Sequence, residues 1–231
     1  MLLRRRAMMG AGAESLEGKL GSLDVGTIVQ VGLLTFIVVH QGNPDRAVYD
    51  ASCDGTWLLL KNGYTERIWG NRNNYADSNI VSYLNTTFDK LFTGVVSENI
   101  LTVKIPYYYN GTLYSLDNGF QCKSFLSAMV ELGYNTEDSE TDPNSYVPTD
   151  GAILEYFKGT ASGFADEDAK RECDVRYWHR TPYTSTTDHI WSTSTAGRAT
   201  YRDGSYEYGV RPMLIMNKYT VIDGSNIIVS E

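Results

Sequence analysis

β-Branched and aromatic runs stand at both ends of this chain, and they limit what it can fold into. Residues 27–31 (TIVQV) and 35–39 (TFIVV) flank Gly32, and residues 57–61 and 65–69 follow; near the other end come residues 175–179, 189–195 and 208–216. Val, Ile, Thr and aromatic rings suit a pleated, half-buried surface, and short runs punctuated by glycine read as strands and hairpins. Between the ends the pattern turns helical. Asp77 or Ser78 can cap a helix carrying Ile80, Val81, Tyr83 and Leu84, with Phe88, Leu91 and Phe92 continuing its apolar side. Shorter helices are expected at 97–101 and 152–157. Residues 107–119 read as loop, 120–130 stay open between strand and helix, and 137–148 read as an acidic surface loop. The Asp223-Gly224 turn pairs 219–222 with 227–229 as a terminal hairpin. Strands at both ends with helices between predict an α+β domain whose terminal strands share one antiparallel sheet. Residues 1–22 form an N-terminal arm, helical over 3–20 or else flexible, that offers a homo-oligomer contact; residues 23–231 form the domain.

Composition narrows the partners. The chain has 231 residues, 42% hydrophobic and 21% charged, which suits a globular protein with a sizeable core. Its net charge of −8, with Arg4-Arg5-Arg6 as the one basic cluster, argues against nucleic acid. The run from Leu33 to Val39 is too short to span a bilayer, so no membrane insertion is expected, and the N-terminus reads as lacking a cleaved signal. Cys53, Cys122 and Cys173 are too far apart for metal-ligand spacing or a disulfide framework and read as isolated thiols. Seventeen Tyr against seven Phe point to rings at a wet edge, because each hydroxyl wants water or a partner.

The stretch 176–212 concentrates Tyr, Ser, Thr, Asp, Arg and His between an aromatic pair, Tyr177-Trp178, and the closing Gly209-Val210-Arg211-Pro212. Tyr supplies large contact area at low entropy cost, and Ser, Thr and Asp supply adaptable hydrogen bonds. The residues alone leave a recognition surface and a plain polar hairpin surface about evenly matched. Together with Trp191, Gly197 and the run 177–182 (YWHRTP), this stretch resembles the signature of a bacterial and phage domain family of unknown function. That family is related to the formylglycine-generating-enzyme branch of the C-type lectin fold. Upstream segments resemble it too: Tyr49-Asp50 with 55–59, then 82–88, 103–106 and 146–151. His179 and Thr181 depart from the family pattern, which has an aliphatic residue and Ser there.

The resemblance implies a C-type lectin fold over residues 23–231. It also implies an exposed ligand-facing segment between Tyr177 and Gly209, as in the variable proteins of diversity-generating retroelements and in phage tail adhesins. A virion, phage tail or bacterial surface is the location so implied, rather than the cytoplasm. The chemistry such folds carry elsewhere is missing. Asn43-Pro44-Asp45 and Asp142-Pro143-Asn144 read as turns rather than a lectin calcium site, and Cys173 has no nearby partner for oxidase chemistry. No histidine adjoins a Ser elbow, Asp188-His189 reads as a turn, and Gly10 with Gly12 makes no phosphate loop. No enzyme activity, metal or cofactor is therefore expected. Trp178, Arg180, Trp191 and Arg211 read as structural, each arginine tying loops together. Strand alternation over 189–194 sets His189, Trp191 and Thr193 against Ile190, Ser192 and Ser194. The expected ligand face is Tyr183, Thr184, Ser185, Asp188, Ser192, Ser194, Arg198, Tyr201, Arg202, Asp203 and Tyr206, presented to a protein or glycan receptor. The competing expectation is a structural or assembly protein of a virion or cell surface with no ligand site.

Overall fold

The computed structural model describes residues 15–134 and 147–228. In chain order its strands are β1 (Ile28–Val31), β2 (Leu34–Gly42), β3 (Gly55–Leu60), β4 (Thr65–Ile68), β5 (Val103–Ile105), β6 (Tyr107–Tyr109) and β7 (Thr112–Tyr114). They continue with β8 (Phe120–Cys122), β9 (Ser124–Leu126), β10 (Tyr177–Pro182), β11 (His189–Thr193), β12 (Ala199–Asp203), β13 (Glu207–Val210) and β14 (Pro212–Met216). The α-helices are α1 (Asn79–Tyr83) and α2 (Gly94–Asn99). The protein is thus mostly sheet with short helices, an α+β chain.

One sheet has the order β1-β2-β3-β14-β9 and is antiparallel throughout. Strands from the two ends of the chain meet in it, with Leu58 opposite Leu214 and Trp57 opposite Ile215. β3 and β14 are buried at every position, as strands covered on both faces must be, and they read as continuous apolar runs. The second sheet has the order β12-β11-β10-β13-β4 and is antiparallel except where β10 meets β13, at Tyr177 and Gly209. Gly209 has to be glycine: its N–H donates to Arg176 O at 2.6 Å, and a Cβ there would meet that oxygen at 2.9 Å. Both sheets contribute to one continuous hydrophobic core.

Several local expectations change. Ser78 does cap α1, its Oγ accepting from Val81 N at 3.2 Å. The helix then loosens into a π turn, Leu84–Phe88, where Thr86 Oγ1 donates back to Ser82 O at 2.6 Å and competes with the backbone ladder. A 3-10 turn follows, and Leu91, expected on the apolar side, is 46% exposed. α2 starts at Gly94 and stops before Ile100, which is extended and bridges Met216. The expected loop at 107–119 instead contains the β6–β7 hairpin, because Asn110 (φ 48) and Gly111 (φ 79) both take the left-handed conformation of a type I′ turn. Residues 120–126 resolve to strands, and 152–157 form only a 3-10 turn at Glu155–Phe157.

Residues 1–14 of the arm lie outside the described residues, as do 137–146 of the acidic loop and Val229 of the terminal hairpin. The rest of the arm forms only a 3-10 turn, at Leu20–Ser22, and it is tied to the body. Lys19 bridges Val221, Leu20 N donates to Thr220 O at 2.8 Å, and Leu20 is fully buried. Contact with the body therefore begins before residue 23. Among the described residues, no helix is long and apolar enough to cross a membrane.

Candidate functional site

Two polar regions flank β10 and β11. The inner one is built on Arg180, whose guanidinium is fully buried and pairs with both oxygens of buried Glu131. Its remaining donors reach Pro106 O and Leu126 O, each at 2.8 Å, and Asp150 O at 3.1 Å. Tyr49 donates to Glu131 Oε1 at 2.7 Å, and Thr181 Oγ1 lies 3.0 Å from Asp150 Oδ2. One guanidinium here faces two carboxylates. Burial, with the nearby Glu131 charge adding to it and Arg180 opposing, pushes Asp150 up to about 7.

His179, also fully buried, has both ring nitrogens engaged: Nδ1 with Ser127 Oγ at 3.0 Å and Nε2 with Thr193 Oγ1 at 2.7 Å. Burial holds it neutral, with its pKa down at about 3. An imidazole at an otherwise apolar position is thereby accommodated. Arg211 donates to Leu60 O at 2.9 Å, Lys61 O at 3.1 Å and Arg171 O at 3.3 Å. Arg171 itself is fully buried, and none of its three guanidinium nitrogens has a hydrogen-bond partner among the described residues; the group lies 3.9 Å over the Tyr134 ring. Arg171, Arg180, Glu131 and His179 are all fully buried. Trp178 belongs to the interior as well, with its Nε1 donating to Arg67 O at 3.0 Å.

The outer region lies on β12, the edge strand, and on the loops at either end of the β11–β12 hairpin. Tyr201 and Trp191 are directly opposite across the pair. The Tyr201 ring is stacked on Tyr183, centroids 3.9 Å apart and planes 14° apart, while Trp191 packs edge-on to both and against Phe164 at 4.9 Å. Trp191 is only 3% exposed.

Two expected face residues are not on the face. Tyr183 is buried, forming the floor beneath Tyr201. Ser192 is fully buried, its Oγ donating to Thr200 O at 3.3 Å. Alternation misled here because β11 is covered on both sides, so neither set of side chains faces water. The remaining nine are half-buried or exposed, and they divide. Ser194 and Arg198 occupy the hairpin turn, where Ser194 Oγ accepts from Arg198 N at 3.1 Å and Arg198 pairs with Glu167 at 2.8 Å. Asp188 and Asp203 sit at the opposite end, beside His189. Arg202 and Tyr206 are exposed, Tyr206 at 52%.

Thr184 and Ser185 line a cleft of about 550 Å³ with Asn71, Arg72, Tyr108 and Thr187. Asn73 shapes it: its Nδ2 donates to Tyr183 O at 3.1 Å and Thr186 O at 2.7 Å, pinning the loop after β10. The sequence reading missed this wall. Its signals were the amide-rich run Asn71-Arg72-Asn73-Asn74 and the Asn110-Gly111 turn that carries the tyrosines of β6. The thiols play no part: Cys53 and Cys122 are buried, and burial pushes the Cys53 thiol up to about 12.

Fold and site together define an α+β domain with a buried polar interior and an aromatic, hydroxyl-rich outer surface. The chain belongs to the family described as Domain of unknown function (DUF6273), whose model matches residues 54–218. The match takes in the whole second sheet and β3, β9 and β14 of the first, and leaves β1 and β2 outside. No curated protein and no solved structure matches the chain significantly.

Proposed function

We propose that this is a non-enzymatic binding protein of C-type lectin type, related to the formylglycine-generating-enzyme branch and similar to variable proteins of diversity-generating retroelements. The joining of strands from both chain ends in one antiparallel sheet supports that fold assignment. The observation that carries the function is the Tyr201 platform, 38% exposed and immobilised from below by Tyr183 and Trp191. A rigid aromatic ring loses little entropy on binding, and Arg202, next to it on the edge strand, and Tyr206 just after that strand are exposed as well. The ligand is a protein or glycan receptor on a cell surface, and the protein acts at a phage tail, virion or bacterial surface. The face needs no cofactor to bind it.

Binding to immobilised glycans and to whole bacterial cells tests this reading. Tyr201→Ala, Arg202→Ala and Tyr206→Ala should each weaken binding by about 1–2 kcal/mol or more. Binding unchanged in all three would move the site elsewhere. A second reading, assembly without a ligand, rests on exposed Leu33, Ile28 and Ile227 around β1. In that case substitutions at those three positions, not at the Tyr201 face, would change the oligomeric state.

A further inference from the structure

The end of the β11–β12 hairpin gathers a donor set that the recognition face does not require. His189 opens β11 directly opposite Asp203, the last residue of β12. Asp188 precedes His189, and its carbonyl accepts from Gly204 N at 2.9 Å, which closes that end of the hairpin. One donor atom from each of the three residues lies within 4.8 Å of the others, and all three residues are half-buried. His189 Nδ1 is 2.8 Å from Asp188 Oδ1. Ligands about 2.0–2.2 Å from a common ion stand roughly 3 Å apart, so this pair already has the spacing of neighbouring ligands. Asp203 Oδ1 accepts from Ser205 N at 2.7 Å, which holds the carboxylate at this end of the hairpin. The imidazole is walled by Tyr183 and Tyr201, with centroids 6.2 and 5.9 Å away, which restricts its rotation.

We propose that Asp188, His189 and Asp203 bind one divalent transition-metal ion of the zinc type. Calcium and magnesium prefer six or more oxygen ligands, whereas an imidazole with two carboxylates suits zinc, nickel or copper. The two carboxylates balance the charge of the ion. Coordination through Nδ1 takes the place of the His189–Asp188 hydrogen bond, and the neutral ring then carries its single proton on Nε2. Three protein ligands leave at least one position for water or for an oxygen of a bound partner. The sequence could not show this set, because Asp203 joins Asp188-His189 only through the strand pairing.

Titration of zinc chloride into tag-free, chelator-treated protein, followed calorimetrically, tests the site with no receptor present. Its outcome is therefore separate from that of the recognition reading. Saturable binding of one ion per chain is expected, weakened at least about tenfold by His189→Ala and by Asp203→Asn. His40→Ala, at a histidine remote from the set in sequence, should bind zinc as the wild type does. If His189→Ala fails to give the wild-type circular dichroism spectrum, the isosteric Asp188→Asn and Asp203→Asn variants decide. No saturable binding to the wild type, or binding undiminished in the folded ligand variants, overturns the proposal.

Discussion

The Arg180 region and the Tyr201 region draw on the same residue types, and every matched pair of residues behaves differently. Arg180 is fully buried and clamped to Glu131, while Arg202 is exposed and donates to the neighbouring Tyr201 O. His179 has both nitrogens engaged in the interior, while His189 is half-buried beside Asp188. Burial raises Asp150 to about 7, whereas hydrogen bonds from the Ser205 side chain and backbone hold half-buried Asp203 below its ordinary value. Residue type therefore does not decide role in this protein. The available partners do, because a buried polar group must be paired and an exposed one stays free for another molecule.

The contrast predicts a graded set of effects. The largest belongs to Arg180→Ala, which strands Glu131 and Asp150 in the interior and should destabilise by about 3–5 kcal/mol. Chemical denaturation measures this directly. A loss no larger than that of a surface substitution would erase the distinction between the regions. Trp191→Ala, on the border between them, should cost a similar 3–5 kcal/mol, or roughly its lower end because Tyr201 and Phe164 can close over the gap. If it leaves the melting midpoint unchanged and abolishes binding, Trp191 belongs to the face.

Acid response should separate the regions next. The folded pKa of His179, about 3, lies below its ordinary 6.5, so its contribution is complete above pH 6.5 and is lost as pH falls towards 3. Asp150 runs the other way. Its folded value of about 7 lies above 3.8, so its contribution is complete below 3.8 and is lost as pH rises through 7. His179→Gln should flatten the acid limb of stability, and Asp150→Asn the limb approaching neutrality, each by a few kcal/mol at most. Denaturation midpoints across that window are the check, and unchanged limbs in both variants would contradict the buried titrations. The smallest effect belongs to Arg198→Ala. Its ion pair with Glu167 is more than half exposed at both ends, so breaking it should change stability by about 0–1 kcal/mol.

The sheet framework was legible because β-branched runs and turn glycines announce strands wherever they lie. Helix ends were less so: Ser78 was readable as a cap, but Thr86 loosening the next turn depends on which backbone carbonyl its hydroxyl reaches. At the site, Tyr201, Arg202 and Tyr206 could be picked out as exposed aromatics and cations in a polar edge segment. Ser192 and Tyr183 could not be excluded in advance, since only the packing of Phe164 and Tyr201 shows that β11 is covered on both sides. The cleft and the Asp188–His189–Asp203 set join residues distant in sequence, and no periodicity records such meetings.

The triple variant Tyr201→Ala, Arg202→Ala, Tyr206→Ala tests the central claim most directly, through binding to the glycans and cells that the wild type recognises. With the interior untouched, the variant should keep the wild-type melting midpoint and lose nearly all binding. A correctly folded triple variant that binds as the wild type does would contradict the account.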